Sequence, residues 1–201
     1  MLRKRTGTPA DLVVVGLGNP GKEYAGTRHN VGQEAVELLA ERHGVTLKGG
    51  KHNALVGEAR LGGKLVVLAV PLTYMNESGL AVQSLVKRWS VGEEDWTRLL
   101  VVQDELDLPP GTVRVKVGGG LAGNNGLRSI TKHLKTQDYA RIRIGVGKPP
   151  NKEQGANHVL KRPSRAERTE LDIAIQEAAD AVELYLEEGA EAAMTRFNQK
   201  P

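Results

Sequence analysis

Cysteine is absent from all 201 residues, and with it disulfides, thiolate metal sites and a cysteine nucleophile. Aromatic residues make up only 3% of the chain, too few for base stacking to be the main grip on a nucleic acid. No apolar run approaches the roughly 20 residues that cross a bilayer. The N-terminal stretch MLRKRTGTPAD is basic but holds no apolar core, so it is not expected to be a secretory signal. Residues 1–10 are expected to form a loose basic tail, and the cytoplasm is the expected compartment. A serine in a G-x-S-x-G turn is also missing, which argues against a covalent acyl-enzyme.

What is present reads as an ordinary globular chain, 39% hydrophobic and 26% charged. Residues 11–201 are enough for one α/β domain with a sizeable core. The net charge of +4 is unevenly placed. Thr112 to Lys152 carries nine Lys or Arg and one acid, Asp138, whereas Ala166 to Glu191 carries nine Asp or Glu and one base, Arg168. Such a split suits a polyanion approaching one side. A solvated surface with chance asymmetry is the alternative.

The chain is organised around Leu12 to Gly32. A buried strand is expected at Leu12–Leu17, broken by Gly16, Gly18, Asn19, Pro20 and Gly21 into a shaped turn. Arg28, His29 and Asn30 then precede a helix expected from Gln33 to His43, with Asn30 and Gln33 fitting a capping-box-like start. Ala54–Arg60 and Lys64–Val70 form an expected hairpin. A helix over Ser78–Trp89 has Leu80, Val82, Leu85, Val86 and Trp89 as its apolar stripe. A strand at Leu99–Gln103 ends at Asp104, Glu105 and Asp107. Thr112–Val117 and Arg141–Gly147 alternate basic and apolar residues, giving half-buried strands with basic faces. Between them GGGLAGNNG opens a helix at Leu127–Lys135. Lys148–Pro163 reads as a mobile loop, and Ser164 with Glu167 caps a long helix to Glu187. Strands and helices alternate, which predicts a single α/β domain: a twisted mixed, mostly parallel sheet flanked by helices.

In such sheets ligands bind beyond the carboxyl ends of the strands. That rule collects Asn19, His29, Asn76, Asp104 and Asn125 on one rim. A carboxylate beside a histidine fixes its tautomer and supports an imidazolium, although His29 could equally be a capping or surface residue. The asparagines suit turns and caps, and also a peptide backbone, because an amide offers donor and acceptor together. QDELDLPPG holds three acids but stands near no phosphate-loop signature, so no metal is expected. GLGNPG meets the dinucleotide pattern only in isolation, with Pro20 inside it, and no cofactor is expected. GGGLAGNNG could be a phosphate nest or a plain connector. Arg114, Lys116, Arg141 and Arg143, with Arg128, Lys132, Lys135 and Lys148, suit phosphate neutralisation.

Four segments, VVGLGNPGKEYAGTRHNVG, PLTYMNESG, DELDLPPG and GGGLAGNNGLRSI, stand in an order and spacing that resembles the bacterial-type peptidyl-tRNA hydrolases. The resemblance runs from about Asp11 to the C-terminal helix. It implies a single α/β globule that hydrolyses the ester between a peptide and the tRNA ribose. It further implies that His29 is the base, that Asp104 orients it, and that Asn19, Asn76 and Asn125 hold substrate and water. Tyr24 and Tyr74 match lining positions, and Arg114, Lys116 and Arg143 match cations that grip tRNA phosphate. The expected partner is peptidyl-tRNA, met by a monomer without metal, cofactor or membrane. The family often reads Gly-Gly-Gly-His-Gly-Gly-His-Asn-Gly in its glycine run. This chain instead carries Leu121, Ala122 and Asn124 at the first His, the next Gly and the second His. An RNA-binding scaffold without catalysis is the competing class.

Overall fold

The computed structural model describes residues 7–151 and 154–199. The expected basic tail lies mostly outside them. Strand β1 (Leu12–Gly16) is short, β-branched and wholly buried, as a strand covered on both faces must be. It sits centrally in a six-stranded sheet of order β2-β3-β1-β4-β6-β5. The other strands are β2 (Ala54–Leu61), β3 (Lys64–Pro71), β4 (Leu99–Glu105), β5 (Val113–Val117) and β6 (Ala140–Gly145). The four inner strands are parallel and the two edges, β2 and β5, run antiparallel, so the mixed, mostly parallel sheet stands as expected. Gly62 and Gly63 close the β2–β3 hairpin with φ of 56° and 78°, the left-handed pair that a twisted two-residue turn requires.

Helices α1 (Val31–Arg42), α5 (Arg165–Glu188) and α6 (Ala190–Phe197) cover one face of the sheet. There Val36, Leu39, Leu171 and Val182 pack on Val14, Leu68, Val102 and Ile142. Helices α2 (Ser78–Arg88) and α3 (Asn125–Leu134) cover the other, where Val82, Leu85 and Ile130 meet Val13, Val67 and Val101. Two glycines, Gly16 at the end of β1 and Gly32 in the first turn of α1, serve this packing. A Cβ on Gly16 would lie 2.4 Å from the Gly32 carbonyl oxygen, and one on Gly32 would lie 2.1 Å from the Val102 carbonyl oxygen. Gly16 and Gly32 thus let α1 press onto β1 and β4, and of the two only Gly16 belongs to the dinucleotide-like spacing.

The structure departs from the sequence pattern at several positions. Leu80 is exposed, and Ala81 takes its place in the buried stripe of α2. Asn30 precedes α1 but its side chain caps nothing there. Ser164 does cap α5, accepting from Glu167 N, but the Glu167 carboxylate turns to Arg28 instead of back to the cap. The Lys148–Pro163 segment contains a short helix, α4 (Gly155–Val159), whose Val159 is buried in the core. Arg141 does not join a basic surface. It is fully buried and donates to the carbonyls of Gly119, Gly120 and Gln137. Its charge is committed to anchoring the glycine run, which is therefore a pinned loop and not a slack connector.

Candidate active site

The register of the parallel strands brings distant residues together. Gly16 of β1 lies beside Val102 of β4, so the turn after β1 and the end of β4 share one rim. His29, in a 3-10 turn at Arg28–Asn30, places its Nδ1 2.8 Å from Oδ2 of Asp104. Both side chains are buried. Burial alone would lower the imidazole pKa, but the Asp104 charge and hydrogen bond outweigh it, and the pKa stands above the usual 6.5. With Nδ1 held, Nε2 is the ring nitrogen available to act as acceptor. The second carboxylate oxygen of Asp104 accepts from Nδ2 of Asn124 at 3.3 Å.

A cavity of about 150 Å³ opens over this pair. Its wall is built by Glu105 and Leu106 after β4, by Ala122–Asn125 at the start of α3, and by Gly155, Ala156 and Val159 of α4. A larger open groove of about 670 Å³ lies elsewhere, beside Trp89 and β2. Size does not decide between them. The groove's only histidine, His43, meets an acid in a half-exposed surface pair with Glu183, whereas the smaller cavity holds the buried dyad.

Of the three expected asparagines, Asn125 lines this cavity and Asn19 and Asn76 do not. Asn19 is buried; its Oδ1 accepts from Met75 N at 2.7 Å, and its main chain is gripped on both sides by the Asn30 amide. Asn76 is exposed in the 3-10 turn Met75–Glu77 and caps no helix. Asn125 lines the cavity and is exposed, but the cap of α3 is its neighbour Asn124. Tyr24 and Tyr74 meet edge to face, 6.3 Å between ring centroids, yet neither lines the cavity over the dyad. Arg114, Lys116 and Arg143 share one face of the β5–β6 edge, Arg114 standing opposite Arg143. Arg143 pairs with buried Glu105 at 3.4 Å, and Arg114 donates to the carbonyls of Val113 and Phe197. Burial pushes the Glu105 carboxyl up, against a hydrogen bond from Asp107 N and the opposing charge of Arg143.

Arg28 has a structural role that its place in the sequence does not mark. Its buried guanidinium holds Glu167 at 2.8 Å and the carbonyls of His158 and Lys161. It ties the turn that carries His29 to α4 and α5. No local signal marks this, because the partners lie more than a hundred residues away.

Among the described residues no group of three or more His, Cys, Asp or Glu is placed to hold a metal, and no helix is long and apolar enough to cross a membrane. A carboxylate-supported imidazole at the wall of a cavity has the chemistry to accept a proton there. Comparison with known proteins supplies the family. Residues 13–201 match the model for peptidyl-tRNA hydrolase. The peptidyl-tRNA hydrolase of Leifsonia xyli subsp. xyli is 50% identical over 188 residues, covering 92% of this chain and 96% of that one. That of Pseudarthrobacter chlorophenolicus is 48% identical, covering 92% and 94%. The crystal structure of peptidyl-tRNA hydrolase from Acinetobacter baumannii superposes with a TM-score of 0.88 at 40% identity, covering 96% of this chain and 97% of that one. The chain belongs to the peptidyl-tRNA hydrolase family and is a hydrolase.

Proposed function

We propose that this protein hydrolyses the ester between the peptide and the tRNA ribose of peptidyl-tRNA, releasing tRNA for reuse in translation. The observation that carries the chemistry is the 2.8 Å contact between His29 Nδ1 and Asp104 Oδ2 at the base of a cavity. In the reaction His29 Nε2 takes a proton from water, and the resulting hydroxide attacks the ester carbonyl. Asp104 holds the imidazole and offsets its positive charge. The tetrahedral oxyanion collapses, the ribose oxygen leaves, and the imidazolium returns the proton to it. Positioned base help of this kind contributes about 10²–10⁴-fold.

The amides of Asn19, Asn76 and Asn125 hold the peptide and the attacking water, with Tyr24 and Tyr74 lining the approach. The Nδ2 of Asn19 is spare for this role, since only its Oδ1 is used by Met75. Arg114, Lys116 and Arg143 neutralise tRNA phosphate along the β5–β6 edge. The segment around α4 forms a wall of the cleft and serves as its gate. The protein works as a cytoplasmic monomer and needs no metal or cofactor.

Incubation with an N-acetyl-aminoacyl-tRNA tests the reading. The expected products are the free N-acetyl amino acid and tRNA with an intact 3′ end. In water enriched in ¹⁸O, the heavy atom enters the acid within a single turnover. Salt-sensitive tRNA binding without cleavage would establish the scaffold instead.

A further inference from the structure

The amide of Asn124 works at both ends. Its Oδ1 accepts from Leu127 N at 3.1 Å and caps α3. Its Nδ2 reaches Asp104 twice, 3.3 Å to Oδ1 and 3.4 Å to the main-chain oxygen. Only one orientation of the amide serves both neighbours, because an N–H needs an acceptor and a carboxylate needs a donor. Oδ2 of Asp104 is meanwhile held by His29. Each carboxylate oxygen therefore has its own side-chain partner.

The backbone aims Asn124 at this spot. Ala122 and Gly123 directly before it have φ of 48° and 70°, and Asn124 N donates to the Leu121 carbonyl at 2.9 Å. The other end of the loop is clamped by Arg141 through Gly119 and Gly120. A side chain anchored at a helix start and at the end of an anchored loop has little freedom to swing away.

We infer that Asn124 is a positioning residue: it fixes the rotation of the Asp104 carboxylate so that Oδ2 faces His29 Nδ1, and it couples the 118–123 loop to that pair. An amide carries no titrating proton, so this support persists across the working pH range. The role presupposes the general-base chemistry proposed above.

Asn124→Ser and Asn124→Thr separate positioning from capping. Both retain an oxygen that caps a helix well, and neither has an amide long enough to reach Asp104. The other charged pairs near the dyad, Glu105 with Arg143 and Arg28 with Glu167, stay intact. The measurements are kcat and KM on N-acetyl-aminoacyl-tRNA, the His29 titration by NMR, and thermal melting. Positioning predicts a fall in kcat of about 10- to 100-fold, the size of one hydrogen bond to a charged group. KM stays within about twofold of wild type. The His29 midpoint moves down, as a carboxylate free to rotate supports the imidazolium less. Wild-type kcat and midpoint in folded variants would overturn the role, as would a rate loss that only tracks the unfolded fraction. His29→Ala run alongside keeps the two readings apart: full activity there removes the general-base chemistry itself, whereas inactivity there with wild-type Asn124 variants removes only the positioning role.

Discussion

Replacing Asp104 by Asn removes one charge and leaves the shape. In the native protein two opposed influences act on His29. Burial disfavours the imidazolium, and the Asp104 charge with its hydrogen bond favours it more strongly, so the pKa stands above 6.5. A base must be neutral to work, so wild-type activity falls with acid through an inflection above 6.5. In Asp104→Asn the favourable influences vanish and burial remains. With burial left as the remaining influence, the inflection moves from above 6.5 to below it. The plateau rate falls as well, because an amide can hold either imidazole tautomer. Up to the whole of the base's contribution, about 10²–10⁴-fold, is at stake. The assay is kcat/KM on N-acetyl-aminoacyl-tRNA from pH 5 to 9. The linkage to stability has a defined sign. A raised folded-state pKa adds stability that is fully present below about 6.5 and is lost as pH rises through the folded value. The melting difference between wild type and variant therefore contains a part that is greatest in acid and fades toward alkali. A variant with the wild-type inflection and plateau would refute the coupling of Asp104 to His29.

Two further outcomes follow from packing and charge. Gly32→Ala drives a Cβ to 2.1 Å from the Val102 carbonyl oxygen, and since overpacking costs about 1–3 kcal/mol or more, urea unfolding is expected to show a loss at or above the upper figure. Lys116→Ala should weaken tRNA binding alike for all tRNAs and reduce the slope of log K against log salt by about 1, while the cleavage rate at saturating substrate stays unchanged.

The sheet was readable because its strands are short β-branched runs closed by glycine and proline. Once those runs are taken as parallel, the rule of carboxyl-end binding places His29 near Asp104 although 75 positions separate them. Other features were hidden for definite reasons. Alternation in β6 marks Arg141 and Arg143 as sharing a face, but not that the glycine run folds back over Arg141 and buries it. Asn124 and Asn125 fit a cap equally well as letters. The left-handed backbone at Ala122 and Gly123 decides for Asn124. Helix α4 is five residues long in a Pro- and Gly-rich stretch, held from outside by Val159 in the core and by Arg28 on the His158 carbonyl. Its contacts are tertiary, so local propensity does not announce it.

In the proposed reaction His29, held by Asp104, activates the water that cleaves the ester. The most direct measurement is single-turnover hydrolysis of N-acetyl-aminoacyl-tRNA by His29→Ala, with tRNA affinity determined on the same preparation. A general base at His29 gives the variant an affinity close to wild type and a rate lower by about 10²-fold or more. Cleavage at the wild-type rate by the folded, tRNA-binding variant would contradict it.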